Sequence, residues 1–417
     1  MALKVDPDRI RRNVEDVARF GRDPAGGWSR FVFTEEERKA CDFVARLLRE
    51  AGMTVRTDPA GNLVGRLEGL DPEAPAVASG SHIDTVARGG MFDGVSGTVA
   101  AIEAVRVIHE NHIRTRHPLE VIVFANEEGA RFSNALWGSR ALLGLIQSEE
   151  TVRCKDRDGI TLADAMRACG LDPDRVGEAK IDPNRYRAFI ELHPEQSRLL
   201  ESQGAVIGAV EGIAGAAWIK VRLKGRADHA GATPMKLRRD ALSAAAEIVL
   251  GAERIARDEC GPRTVATVGQ MTVQPGGINI VPGEVEMSLD IRDLDAATRD
   301  RACEAIRTWA AKVCEGRGVQ MEWEELGRVV PVRLAEEIVS LVEETCRERG
   351  IPCLRMVSGA GHDAQLMALV CPTGMIFVPS VGGVSHSPEE NTQWKDLAMG
   401  AQVLLDVLWK LSQGGAG

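Results

Sequence analysis

The segment GSHIDTVARGGMFDGVSGTVAAIEAV, residues 80–105, decides the fold. It begins where an apolar run, APAVASGS (74–81), stops at His82, and it ends in an apolar helical pattern that starts near Gly97. Between the two lie Asp84 and a glycine-rich loop carrying Asp93. A buried strand that runs into a loop and then a helix is the repeating step of an α/β sheet rather than of a sandwich. Three further apolar runs end in the same manner. LEVIVFAN (119–126) runs into Glu127 and Glu128, RAFIEL (187–192) into His193, and GMIFVPSVGGVS (374–385) into His386. Open α/β sheets bind ligands beyond the carboxyl ends of their strands, so these four strand ends predict one convergent site.

Working outward, TEEERKACDFVARLLREAG (34–52) has helical periodicity, with Thr34 as N-cap and Gly52 as the stop. The texture changes between about residues 213 and 328. Strand-like AAWIKVRLKG (216–225), a helix near 238–257, strand-like TVATVGQMTV (264–273) and VEMSLDIRD (285–293), and a helix near 296–316 make an inserted α+β unit. The expected division is an α/β catalytic domain with a mixed sheet flanked by helices, residues 1–212 and 329–417, and an α+β lid and dimerisation domain, residues 213–328.

A chain of 417 residues exceeds one ordinary core, which agrees with two domains. With 44% hydrophobic and 27% charged residues it has the balance of a globular protein, and a net charge of −10 argues against a nucleic-acid partner. The amphipathic, charged N-terminus lacks an apolar leader, and no apolar run approaches the ~18 residues of a membrane span. Nine scattered cysteines without a C-x-x-C pair point to reduced thiols and a cytoplasmic location.

The chemistry lies at the strand ends. His82 is a candidate metal ligand, and Asp84, two residues on, can hydrogen-bond its ring and fix the tautomer. Asp93, at the entrance to a helix, can bridge two cations through its two oxygens. An H-x-D triplet or an E-E pair alone is usually a solvated surface feature. At the end of a buried strand, adjacent carboxylates are costly unless a cation or a shared proton relieves them, so Glu128 is read as a ligand and Glu127 as general base and acid. With His193 and His386 the set is Asp, Glu and three His, enough for two divalent cations sharing Asp93, which would ready water for attack. Nitrogen and oxygen donors without thiolate suit zinc, manganese, cobalt or nickel.

These residues stand in segments that resemble the M20 metallopeptidase superfamily, in the branch of N-carbamoyl-L-amino acid hydrolases, β-ureidopropionases and allantoate amidohydrolases. The segments are GSHIDTV, GGMFDGVSG, EEGARF, ELHPEQS, GRADHAGATPM, GGINIVPGEVEMSLDIRD and SGAGHDA, spread from GGWSRFVFTEEER to VSHSPEE. The resemblance implies His82, Asp93, Glu128, His193 and His386 as ligands, with Glu127 as the base. It also implies Arg292 as a clamp on the substrate carboxylate, assisted by Asn279, and Gln196 as a contact to the ureido group. His229 would reach across a homodimer to hold the oxyanion, and Gly361 would offer backbone groups to the carboxylate. Taken without the family, Arg292 is a strand-end surface arginine, Asn279 part of a turn, and His229 turn chemistry. One departure is HPEQS where the family usually has H-I-E-Q-G, which places Pro194 and Ser197 beside the site without removing a ligand.

The expected activity is hydrolysis of the ureido C–N bond of N-carbamoyl-L-amino acids. Allantoate is the first alternative, then β-ureidopropionate, then a dipeptide or acylamino acid. A binding protein on a decayed hydrolase fold would have lost a ligand or the base, and a structural zinc protein would show closed Cys or Cys/His spacing; neither pattern occurs. His109, His112 and His117 are read as surface residues around a helix end, Asp363 as helix entry or support, and the Arg pairs 11–12 and 238–239 as solvated faces.

Overall fold

The computed structural model describes residues 3–147 and 149–413. They form two compact units, one of residues 3–211, 334–356 and 361–413, the other of residues 212–333 with 357–360.

The first unit is built on a mixed sheet. Four adjacent strands run parallel in the order Leu119–Phe124, Ala76–His82, Tyr186–Pro194, Thr373–Val378. Leu63–Leu67 flanks them antiparallel on one side, with Thr54–Thr57 antiparallel to it in turn, and Ile207–Ile213 flanks them antiparallel on the other. Ala76–His82, Leu119–Phe124 and Thr373–Val378 are buried at every position, as strands covered on both faces should be. Parallel alignment puts the carboxyl ends of all four on one edge of the sheet, the edge where His82, Glu127, Glu128, His193 and His386 emerge.

Helix Val95–Glu110 packs on the sheet and against Trp394–Ser412, and its first fourteen residues are all buried. Its close seat depends on Gly97, where a Cβ would lie 2.1 Å from the Leu192 carbonyl. Glu35–Glu50 is capped by Thr34, whose hydroxyl accepts from the Glu37 amide at 3.3 Å, and the chain turns away at Gly52 with φ +83°.

In the second unit, Gly215–Lys224 pairs antiparallel with Glu284–Asp293 along its whole length and with Gln320–Arg328 on its other side. Glu284–Asp293 alternates strictly. Val285, Met287, Leu289 and Ile291 face a core shared with helices Ala241–Arg254 and Ala296–Arg317, while Glu286, Ser288, Asp290 and Arg292 occupy the other face. A short ribbon, Asp228–His229 with Ile280–Val281, completes the unit.

Three local expectations need correction. The helix after Asp93 begins at Val95, before the apolar pattern becomes visible, because the Gly94 carbonyl already accepts from the Thr98 amide. The strand leading to His386 stops at Val378, and a turn at Val381–Gly383 carries the chain on to the histidine. The helix placed near 238–257 spans Ala241–Arg254, capped by Asp240 and followed by a wider π turn, Ile255–Glu259. All nine cysteines are free. Among the described residues no helix is long and apolar enough to cross a membrane.

Candidate di-metal active site

Asp93 is the centre of the site. Its Oδ1 lies 3.0 Å from His193 Nε2 and 3.6 Å from His82 Nε2, and its Oδ2 lies 3.2 Å from His386 Nε2. His386 Nε2 is also 3.6 Å from Glu128 Oε2. Two donor sets result, His82–Asp93–His193 and Asp93–Glu128–His386, each with its donor atoms within 4.8 Å of one another.

The histidine tautomers follow from backbone carbonyls, which only accept. His82 Nδ1 lies 3.1 Å from the Asp84 carbonyl and His193 Nδ1 lies 3.0 Å from the Pro194 carbonyl. Both rings therefore keep hydrogen on Nδ1 and turn Nε2, the nitrogen left for a cation, toward Asp93. The backbone carbonyl of Pro194, a departure from the family pattern, thus orients the ring of His193, a candidate ligand.

The role expected of Asp84 changes here. Its carboxylate is 3.5 Å from His82 Nδ1, farther than its own carbonyl, and it accepts instead from the amides of Glu127 (3.1 Å) and Glu128 (3.2 Å). Asp84 therefore pins the backbone of the Glu pair, while its carbonyl fixes the ring. Glu127 Oε2 then sits 3.8 Å from His82 Nε2.

Other backbone constraints hold the centre. Gly94 has φ +62°, and a Cβ there would fall 2.6 Å from the His82 ring. Asn126, Gln196 and His386 all have positive φ, at +53°, +56° and +53°. For residues bearing a Cβ this is strained backbone, and here it adjoins or carries the candidate ligands. Gln196 donates from Nε2 to Asp93 Oδ2 at 3.2 Å, so the side chain expected at the ureido group rests on the central carboxylate.

The electrostatics fit cations. Burial pushes the Glu127 carboxyl well above its usual range, with Glu128, Asp363 and Asp84 adding to the effect and His82 opposing it. Burial and Asp93 push Glu128 up to about 7. Asp93 is held well below the usual range, because His193, His386 and His82 outweigh its burial. Its hydrogen bond to Asp93 raises His386 to about 9. Glu128 Oε1 is buried without a hydrogen-bond partner. Crowded carboxylates must hold protons unless cations replace them, and an orphaned carboxylate oxygen inside an Asp/Glu/His cluster suits a hard or borderline divalent ion.

Three supporting residues escaped the sequence reading. Glu390 accepts through Oε1 from the amides of Phe92 and Asp93, both at 3.0 Å, and so fixes the loop that presents Asp93. Glu191 accepts from Ser81 Oγ at 2.7 Å and from the Ala364 amide at 2.9 Å. The His362 ring packs 4.6 Å from that of His193. Glu191 left a signal, a carboxylate two residues before His193 on the same face of a buried strand. Glu390 left none, because its partners are some 300 residues away.

The second unit brings His229 and Asn279 together. Their short ribbon pairs Ile280 with His229, and the Ala230 amide donates to the Asn279 carbonyl at 2.9 Å. His229 is exposed, and its Nδ1 accepts from the amides of Gly231 and Ala232, each at 3.1 Å. With Nδ1 accepting, Nε2 is the ring nitrogen that carries the hydrogen and can donate. Arg292 is half-buried and lies on the face of its strand away from the helices. Gly361, in the first unit, is exposed just ahead of helix Asp363–Met367.

Asp363 opens that helix and accepts from Ser139 Oγ at 2.5 Å, and His109 and His112 are exposed. His117 departs from the surface reading: it is buried, with Nδ1 2.9 Å from the Pro75 carbonyl. Arg238 departs as well, donating to the carbonyls of Ala230 and Thr233 and bracing the loop after His229.

Comparison with known proteins agrees with this arrangement. Residues 78–410 match the profile of peptidase family M20/M25/M40. The chain is 46% identical to the N-carbamoyl-L-amino acid amidohydrolase of Geobacillus stearothermophilus over 98% of its own length and 100% of the relative's. It is 36% identical to the allantoate amidohydrolase of Bacillus subtilis, covering 96% of both chains. Among solved structures it is similar to a hydantoinase/carbamoylase-family amidase from Burkholderia multivorans, with a TM-score of 0.93, 35% identity and full coverage of both chains.

Proposed function

The chain belongs to peptidase family M20/M25/M40, and from that premise we propose that it is a di-metal amidohydrolase cleaving the ureido C–N bond of N-carbamoyl-L-amino acids. The observation that carries this reading is Asp93, whose two oxygens face the remaining members of two donor sets beside a partly buried pair of glutamates. Full-length identity of 46% to an N-carbamoyl-L-amino acid amidohydrolase supports the substrate class.

Zinc, manganese, cobalt or nickel held by His82, His193 and Asp93, and by Glu128, His386 and Asp93, would polarise the ureido carbonyl and acidify a water. Glu127 takes a proton from the attacking water and later delivers it to the nitrogen that leaves, which its environment suits because burial favours the protonated form. The carbonyl carbon gains a C–O bond and loses the C–N bond to the amino acid. The carbamate released decomposes to carbon dioxide and ammonia. Arg292 receives the substrate carboxylate with Asn279 and the backbone at Gly361, and Gln196 meets the ureido group. His229 Nε2–H donates to the oxyanion.

A homodimer in which the partner supplies His229 is supported by the surface around that residue. Ile278 is fully exposed, and Met235 and Leu237 are exposed by 75% and 70%. Exposed large apolar side chains close in sequence to His229 and Asn279 suit a surface that a partner covers. The free cysteines suit a cytoplasmic location.

Allantoate is the second reading, favoured by the identity to the Bacillus subtilis enzyme. β-Ureidopropionate and dipeptides follow. Ammonia release from N-carbamoyl-L- and D-amino acids, N-carbamoyl-β-alanine and allantoate, with a dipeptide followed by amine release, separates them. Turnover confined to the L-carbamoyl compounds supports the proposal. Turnover chiefly of allantoate moves the substrate but keeps the residues, and cleavage of the dipeptide alone refutes the ureido reading.

A further inference from the structure

Arg292 is not a free guanidinium waiting for an anion. Its Nε donates to Asp290 Oδ1 at 2.8 Å, its Nη2 to Asp290 Oδ2 at 2.6 Å, and its Nη1 to the Gly359 carbonyl at 2.6 Å. A guanidinium has five N–H groups, one on Nε and two on each terminal nitrogen. After these three bonds, one N–H remains on Nη1 and one on Nη2. The Nη2–H left over lies on the end-on edge, which Nη1 and Nη2 share and through which a guanidinium can grip a carboxylate.

Asp290 is itself fixed. It lies directly across from Trp218 in the antiparallel register, and the indole Nε1 donates to its Oδ2 at 3.1 Å. Farther along the same sheet face the charges pair with one another, Arg222 with Glu286 and Lys224 with Glu322. Near Arg292 the surroundings are different. Trp218, Val265 and Leu326 are 40%, 53% and 53% exposed, and with Asp290 and Arg292 they line one cavity of about 640 Å³. A surface ion pair on its own contributes little. One that consumes the side-on fork of an arginine in such a cavity determines which edge of the arginine stays available.

We propose that Asp290 is a positioning residue for substrate recognition: by occupying the Nε/Nη2 edge of Arg292 it leaves the end-on Nη1/Nη2 edge as the receptor for the substrate carboxylate. This rests on the reading of Arg292 as the carboxylate clamp. Because Asp290 neutralises the guanidinium, recognition then depends on matched geometry more than on net charge. Without Asp290 the arginine has to be immobilised by each substrate that binds, at a cost of one mobile side chain, which corresponds to about threefold to tenfold in affinity.

The test compares Asp290→Asn with wild type, holding bound metal, on an N-carbamoyl-L-amino acid and on its carboxamide, which keeps the ureido group and lacks the carboxylate. The expected result is a KM raised about threefold to tenfold for the acid, with kcat near wild type and no change in KM for the carboxamide. If Asp290→Asn does not fold, Asp290→Glu displaces the guanidinium by one methylene and carries the same expectation. An unchanged KM for the acid, or equal shifts for acid and carboxamide, overturns the inference while the functional reading stands. A wild-type protein inactive on every ureido carboxylate overturns both.

Discussion

Asp84→Asn isolates the placement of the base from the binding of metal. The Asp84 carboxylate receives two backbone amides, those of Glu127 at 3.1 Å and Glu128 at 3.2 Å, whereas the His82 ring is held by the Asp84 carbonyl, which substitution does not touch. Asparagine keeps one oxygen and turns an NH2 group toward the other amide. One charge-assisted hydrogen bond worth roughly 1.5–3 kcal/mol is lost, and a donor facing a donor leaves buried groups unmet at a further cost of about 1–3 kcal/mol. The loop relieves most of this by shifting, and the shift reaches the reaction through Glu127. A misplacement on the order of 1 Å lowers the rate by about 100-fold. Steady-state ammonia release is therefore expected to show kcat down by about two orders of magnitude and KM little altered, with metal content by atomic emission at the wild-type level. Wild-type kcat in Asp84→Asn would refute the reasoning. So would loss of metal in step with activity, since that would make Asp84 a support of the ligands rather than of the base.

Glu127→Gln is expected to lower kcat by about 10²–10⁴ with bound metal unchanged, checked by the same two measurements. Glu390→Ala strands the amides of Phe92 and Asp93 and is expected to weaken metal binding about 10–100-fold in a chelator competition, because the bridging loop loses its anchor. Gly94→Ala combines φ +62° with a Cβ 2.6 Å from the His82 ring, so this variant is expected to retain less metal after dialysis than wild type. Thr34→Ala removes a helix cap far from the chemistry and is expected to cost about 1 kcal/mol, read as a lower urea midpoint with unchanged kcat.

What the sequence disclosed and what it concealed divide on physical lines. The strands were legible because a buried parallel strand reads as an unbroken apolar run, and a His or Glu at or after its end stands out against it, though His386 lies beyond a further turn. The side chains of His82, Asp93, Glu128, His193 and His386, read as candidate ligands, do come together in the described structure. Contacts between distant segments left little trace. Glu390 reaches the Asp93 loop across the chain, and Arg238 serves carbonyls that any sequence would provide. Asp84 shows a subtler limit. Its spacing from His82 correctly signalled a link, but whether ring or backbone takes the carboxylate depends on loop geometry, and the loop turns the carbonyl to the ring. His117 looked like a surface residue after a helix end, and it is buried against Pro75 because the chain turns directly into the next strand.

The central claim is that Asp93 joins two cation sites in an enzyme of ureido hydrolysis. The most direct test is calorimetric titration of the metal-free chain with manganese, paired with ammonia release from an N-carbamoyl-L-amino acid at each point. Two equivalents per chain are expected, with activity rising as they bind, and Asp93→Asn is expected to weaken both sites together. Full activity in a chelated protein, or Asp93→Asn binding two equivalents with wild-type affinity, would contradict it.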